Sequence, residues 1–290
     1  MADTVEMSAA QAVELLAATT GDAYELVGRL SGGETGAHEV TGPMGRRLVV
    51  KWDPAPSSDA RREAVVLAER LRVDVGWPVP RQRTVVAQDC LFVLQDFMPG
   101  TPIEILGHGV VDRLLELHVG RLGLARSSDP SHWPAVLIKT LIVGGDRYCL
   151  HESLRRYDER TASLVARIEE LGRVIHHDDL GARDVVHWDL HPGNLLHDEG
   201  TLSAIVDTDF AKVGDAAFDL VTLALASLTL PCDRGVRSRL FATAFDGLAE
   251  VRRLAYLGHL FIRFIDWPIR RGRRAEVEFW LGQADQMLDL

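Results

Sequence analysis

Apolar residues form short β-rich runs over the first third of the chain and fall into helical spacing over the rest. Residues 8–18, SAAQAVELLAA, predict a short helix opened by Ser8. The stretch YELVGRLSGGETGAHEVTGPMGRRLVVKWDP predicts three antiparallel strands, with a glycine-containing turn at 31–36 and a hairpin near Gly42-Pro43. SSDARREAVVLAERLR predicts a helix capped by Ser or Asp, and RTVVAQDCLFVLQDFMPG two more strands ending at Pro99-Gly100. Past Gly100, the segments VVDRLLELHVGRLGLA, HESLRRYDERTASLVARIEELGRVI, AFDLVTLALAS, GVRSRLFATAFDGL and VRRLAYLGHLFIRFIDW each predict a helix. Residues 183–210 break that texture, because two short apolar runs there flank polar clusters. The pattern predicts an α+β architecture: a small β-rich lobe at 1–98 and a larger, mainly helical lobe at 99–290, joined near 95–100.

Composition narrows this. With 290 residues, 47% of them hydrophobic, there is enough apolar material for one large domain or two lobes. The apolar runs are too short and interrupted for a membrane span, and the acidic start MADTVEMSAA lacks the features of a signal peptide. Cys90, Cys149 and Cys232 are odd in number and far apart, which predicts reduced thiols rather than a disulfide framework or a zinc site. A cytoplasmic protein is the expectation. The formal charge of −10 argues against nucleic acid as a partner. From Glu152 to Asp219, fifteen carboxylates face seven Lys or Arg, a local net of −8. Either this is a solvated acidic face or a cleft that attracts cations.

That segment contains VVHWDLHPGNLL, residues 185–196, and then LSAIVDTDF. Ser203 to Val206 reads as a short strand ending at Asp207. A hairpin-like return would bring Asn194 close to Asp207. A carboxamide oxygen and a carboxylate are hard ligands suited to Mg²⁺, which shares its remaining positions with waters and phosphates. Asp189 then stands where a hydroxyl acceptor must be oriented and deprotonated. A loop Asp, an Asn five residues later and a subsequent metal-binding Asp form the arrangement used by kinases.

The residues resemble the aminoglycoside phosphotransferase family, a branch of the kinase-like fold. Its loop reads approximately H-G-D-L-H-P-G-N, against His187-Trp188-Asp189-Leu190-His191-Pro192-Gly193-Asn194 here. Its next element, roughly I-D-x-x-x-x-x-x-G-D-P-x-x-D-L, is matched in spacing by Val206-Asp207, Gly214-Asp215 and Asp219-Leu220. Trp188 departs from the usual glycine and Ala216 from the usual proline. Asp209 rivals Asp207 as a metal ligand, and Asp207 is preferred for its spacing to Asp215 and Asp219. The resemblance implies a bilobal, protein-kinase-like fold in which His187 and Asp219 hold the catalytic loop. His191 either lines the site or packs.

A kinase-like site also needs a cation on the nucleotide phosphates. Lys51 follows an apolar run on the third strand, where that lysine belongs. Glu63 and Glu69 compete as its partner on the next helix. Glu63 shares a stripe with Leu67 and Leu71 and is preferred. Ser31, Gly32 and Gly33 belong to a turn that would cover the phosphates with backbone N–H groups. Backbone groups from Asp96 through Phe97 to Met98 would hold adenine. The run His176, His177, Asp178, Asp179 reads as a solvated loop, since adjacent residues point apart and no distal ligand completes a metal set.

The expected activity is Mg²⁺-dependent transfer of the γ-phosphate of ATP or GTP to a small-molecule hydroxyl. The resemblance implies acceptors among aminoglycosides, tuberactinomycins such as viomycin and capreomycin, and macrolides, or among choline, homoserine and sugars. The acidic segment favours a cationic antibiotic, with Asp158, Glu159, Asp178, Asp179 and Asp266 as candidate contacts and Trp188 and Trp267 as ring-stacking candidates. A protein kinase is disfavoured because no A-P-E-like element is present and Gly214 follows Asp207 by only seven positions. A non-catalytic nucleotide-binding homologue is disfavoured by the full set Lys51, Glu63, Asp189, Asn194 and Asp207.

Overall fold

The structure is a computed structural model that describes residues 7–30, 36–54 and 58–288. The elements run α1 (Ala9–Thr20), β1 (Glu25–Arg29), β2 (His38–Thr41), β3 (Arg47–Pro54), α2 (Ser58–Asp74), β4 (Gln82–Ala87), β5 (Cys90–Asp96), β6 (Thr101–Pro102) and α3 (His108–Gly120). They continue through α4 (Trp133–Val143), α5 (His151–Tyr157), α6 (Glu159–Val174), β7 (Asp184–Val186), β8 (Leu195–Asp198), β9 (Thr201–Ile205) and β10 (Lys212–Gly214). The chain ends with α7 (Ala217–Ala226), α8 (Val236–Phe245), α9 (Glu250–Arg270) and α10 (Arg274–Met287). Packing gathers them into two units. The first holds the chain up to Arg121, His187–Lys212 and Leu230–Asp233, and the second holds the remainder.

In the first unit, a five-stranded antiparallel sheet has the order β1-β2-β3-β5-β4. Ser8 opens α1 through a capping box with Gln11, as its position predicts. Alternation along β3 sorts its side chains. Leu48 and Val50 join Val40, Phe92, Leu94 and residues of α1 in one apolar cluster, while Lys51 and Asp53 fall on the opposite face. Burying each such aliphatic side chain contributes about 1.5–3 kcal/mol, so that face fixes the register that sends Lys51 the other way. The same unit holds the hairpin β8–β9, with Leu195 opposite Ile205. Val206 N–H donates to the Asn194 carbonyl at 2.9 Å and closes the hairpin's open end. Asn194 and Asp207 therefore flank paired strand ends, the return that the sequence suggested.

The second unit is mainly helical. The run 151–175, read from sequence as one helix, is two. Asp158 sits extended (φ −162°, ψ 176°) between α5 and α6 and caps α6 by accepting from Thr161 N–H at 2.8 Å. Periodicity could not find this break, because the apolar spacing continues through it. Helices α4 and α10 were also missed from the sequence. In WPAVLIKTLIV nearly every position is apolar, so no stripe stands out. Gly214 marks a close approach: a Cβ there would lie 2.5 Å from the Trp133 ring. Asp215 accepts from Tyr256 Oη at 2.6 Å and from Ala217 N–H at 2.9 Å. Among the described residues no helix is long and apolar enough to cross a membrane.

Candidate active site

The loop from His187 to Asn194 is built around His187, which is fully buried. Its Nε2 lies 2.9 Å from the Val206 carbonyl, which can only accept, and its Nδ1 accepts the Asp189 N–H at 3.3 Å. The two bonds require a neutral imidazole protonated on Nε2. The ring ties the loop to the end of β9. Asn194 Nδ2 donates to the Asp189 carbonyl at 2.9 Å, and Asn194 is itself buried. His191 Nδ1 accepts from Gly193 N–H at 3.0 Å, which leaves the proton on Nε2, 3.5 Å from Asp189 Oδ1.

Trp188 adopts φ +74°. The loop thus keeps the left-handed turn that a glycine adopts freely, at a cost of about 1–2 kcal/mol for a residue with a Cβ. Lys212 Nζ sits 3.8 Å from the centroid of the Trp188 ring. A cation–π contact of that kind contributes about 0.5–1 kcal/mol at an exposed site and more when drier. Lys212 was not singled out from the sequence.

Asp207 also has a left-handed backbone, φ +61°, just past β9. Its Oδ1 is 2.7 Å from Lys51 Nζ, and Asp209 Oδ2 is 2.7 Å from the same nitrogen. Burial would lower the Lys51 pKa, but Asp209 and Asp207 outweigh it and raise it. Asp209 is more enclosed than Asp207. Burial favours its neutral form, yet Lys51 and Arg61 hold its pKa down at about 2. Asp207 is shifted upward by burial and by Asp209 and Asp189, against the pull of Lys51.

The expected Lys51–Glu63 pair does not form. Among the described residues Lys51 pairs with Asp207 and Asp209, while Glu63 is half-buried and makes no ion pair. Residue spacing explains this. Arg61, Ala64, Leu67, Ala68, Arg70 and Leu71 are buried on α2. At about 100° per residue, Glu63 lies roughly 160° around the helix from Arg61. The four-residue stripe that favoured Glu63 drifts across the helix surface. Arg61 takes the inward position, pairs with Asp53 at 2.5 Å and forms an ion pair with Asp209 Oδ2. Arg61 and Asp53 were not singled out from the sequence. Their signals were the two-residue step from Lys51 to Asp53 and the Arg61–Ala64–Ala68–Leu71 spacing.

Of the other expected nucleotide contacts, Ser31, Gly32 and Gly33 lie outside the described residues. Asp96, Phe97 and Met98 are half-buried just past or at the end of β5. Asp96 N–H donates to the Arg81 carbonyl at 3.0 Å and Phe97 N–H to the Arg47 carbonyl at 3.2 Å, so those two donors are engaged. Asp96 also pairs with Arg46 at 2.6 Å, and the Arg47 guanidinium lies 3.6 Å from the centre of the Phe97 ring.

The candidate acceptor contacts, Trp188 apart, belong to the second unit. Asp158 caps α6, Glu159 and Asp178 are exposed, and Asp179 accepts from His176 N–H at 2.9 Å. Asp266 does not fit a substrate contact. It is 1% exposed on the inner side of α9, where it accepts from Ser153 Oγ at 2.6 Å and Arg270 Nε at 3.1 Å. Trp267 is flanked by Arg270 and Arg271, whose guanidinium carbons lie 5.7 and 4.1 Å from its ring centroid.

Comparison with known proteins places this geometry. No curated protein matches the chain at a significant level. Among solved structures, aminoglycoside phosphotransferase APH(4)-Ia is similar at 17% identity and a TM-score of 0.68, covering 97% of this chain and 98% of that one. Aminoglycoside phosphotransferase APH(3'')-Id from Streptomyces rimosus aligns at 19% identity and a TM-score of 0.64, over 89% of this chain and 98% of that one. Macrolide 2'-phosphotransferase type I aligns at 16% identity and 0.59, over 95% and 97%. These likenesses establish the kinase-like α+β fold. The model of the phosphotransferase enzyme family APH matches residues 27–254. With that match spanning most of its length, the chain belongs to the APH phosphotransferase family and is an enzyme that phosphorylates hydroxyl groups.

Proposed function

We propose that the protein is a small-molecule kinase that transfers the γ-phosphate of a nucleoside triphosphate to a hydroxyl of a cationic antibiotic, an aminoglycoside or a tuberactinomycin, and so confers resistance. One observation carries the reading. Asp189, Asn194 and Asp207 are brought to one loop and hairpin, with Lys51 Nζ 2.7 Å from Asp207. Asp189 is assigned as the group that orients the acceptor hydroxyl and takes its proton, and His191 Nε2–H faces the same carboxylate. Lys51 is assigned to the phosphates. Met98 N–H is the donor assigned to adenine, since those of Asp96 and Phe97 are engaged. We assign nucleotide binding mainly to residues 1–98, Ser31, Gly32 and Gly33 among them, and acceptor binding mainly to 99–290.

The residues fit a magnesium ion. Asn194 commits its nitrogen to the Asp189 carbonyl, which leaves the carboxamide oxygen as ligand atom, and Asp207 supplies a carboxylate. Hard oxygen donors in that number suit Mg²⁺, which takes its other positions from water and phosphate. When bound, the ion would neutralise charge on the transferring phosphoryl group. The protein's part is to fix the acceptor, the phosphates and the proton acceptor in one geometry, the main source of rate in phosphoryl transfer.

A cationic acceptor is favoured by the net −8 between Glu152 and Asp219, where Glu159, Asp178 and Asp179 are candidate contacts. APH(4)-Ia has been solved in a ternary complex with AMP-PNP and hygromycin B, an aminoglycoside, which supports both substrate classes. Incubation with Mg-ATP or Mg-GTP and a panel of aminoglycosides, tuberactinomycins, macrolides, choline, homoserine and sugars tests the reading, with products identified by mass. Transfer only to choline, homoserine or a sugar would replace the antibiotic assignment with a metabolic kinase. Nucleotide binding without transfer to any small molecule would sink both.

A further inference from the structure

We propose that Arg61 is a positioning residue for the phosphate-binding lysine, acting through Asp209, in the place where a helix carboxylate was expected. Five charged groups meet in the first unit. Lys51, Arg61 and Asp209 are each at least nine-tenths buried, and Asp53 and Asp207 complete the set. Asp209 Oδ2 carries both cations: Lys51 Nζ at 2.7 Å and the Arg61 guanidinium. The other guanidinium nitrogen of Arg61 is 2.5 Å from Asp53, two residues along β3 from Lys51. Arg61 therefore links the strand carrying Lys51 to the turn carrying Asp209.

Two physical points give that link a role. A lysine is a flexible point charge, so its ammonium contributes to phosphate binding only as far as something fixes its position. A carboxylate buried between two cations is costly to move once one cation is anchored elsewhere. Asp53 anchors Arg61, Arg61 holds Asp209, and Asp209 holds Lys51. If Asp207 held a metal ion, its contact with Lys51 would give way. Asp209 would then remain as the anchor of the lysine. Glu63, roughly 160° around α2 from Arg61, takes no part.

The inference rests on the phosphotransfer reading only through the contact of Lys51 with nucleotide phosphates, and calorimetry of ADP binding in EDTA separates the two. Lys51→Met is expected to weaken ADP binding. Arg61→Met is expected to weaken it about tenfold, the scale of one lost charge-assisted bond, and Arg61→Lys to restore part of the loss. In the Lys51→Met background, Arg61→Met should have no further effect, because its influence passes through the lysine. Glu63→Gln should bind ADP like the wild type. Equal losses from Arg61→Met with and without Lys51 overturn the proposal, as does an Arg61→Met variant that binds like wild type. If Arg61→Met does not fold, Glu63→Gln decides: a tenfold loss there returns the anchoring role to the helix carboxylate. An unchanged affinity in Lys51→Met overturns the phosphate assignment itself, and this proposal with it.

Discussion

His187 donates from Nε2 to the carbonyl oxygen of Val206, 2.9 Å away, across nineteen residues of chain. Its other nitrogen accepts the N–H of Asp189. One buried, neutral ring thus holds the start of the loop and the residue just before Asp207. Asp189 and Asp207 are therefore positioned from a common point.

Asp189→Asn keeps the shape of the loop where His187 and Asn194 hold it, since both bond to the backbone of residue 189. What it removes is the proposed proton acceptor. Turnover should fall by about 10²–10⁴-fold, with nucleotide affinity close to wild type by calorimetry. Near-wild-type turnover would falsify the assignment.

At position 188, glycine should outperform alanine. Both substitutions lose the contact with Lys212, but only glycine relieves the cost of φ +74°. Trp188→Gly should be more stable than Trp188→Ala by about 1 kcal/mol in denaturant unfolding. An alanine variant of equal or greater stability would mean that the loop does not keep its left-handed turn.

Asp158 separates two uses of an acidic residue. As the cap of α6, its loss in Asp158→Ala should cost about 1 kcal/mol of stability. Burial works to raise its pKa, but hydrogen bonds from Thr161 prevail and lower it. That contribution is present above the ordinary carboxylate range and fades as pH falls through the lowered value. If capping is its whole role, the acceptor KM does not change. A several-fold rise in KM at unchanged stability would move Asp158 into the acceptor site.

Cys149 is buried against His259, and burial pushes its pKa up to about 12 from an ordinary 9.0. The folded protein keeps the thiol protonated where the unfolded chain ionises it. Stability is therefore undiminished below pH 9.0 and declines as pH rises toward about 12. Relative to Cys149→Ala, wild type should lose about 1.4 kcal/mol per pH unit across that window. Parallel pH profiles for the two proteins would place the thiol in contact with water. Consistently, thiol reagents at pH 8 should modify half-exposed Cys232 before Cys149.

The sequence by itself determined the parts of this protein whose causes are local. Ser8 and Gln11 specify the start of α1, and alternation along β3 puts Lys51 opposite the apolar cluster. The order and spacing of Asp189, Asn194 and Asp207 point to a kinase-like arrangement, because a loop and a hairpin of that length bring such residues together. What only the tertiary structure decided is which charges meet. Lys51 lies 156 residues from Asp207 in the chain, and helical spacing ranked Glu63 above Glu69 without considering Arg61. A buried cation takes the carboxylate that packing brings within about 3 Å, since the cost of leaving it unpaired exceeds any helical preference. The same holds at Asp158 and Asp266, one taken up by a helix cap and the other enclosed within the second unit. Both are acidic residues of one kind in the sequence, and burial and hydrogen-bond partners assigned them different roles.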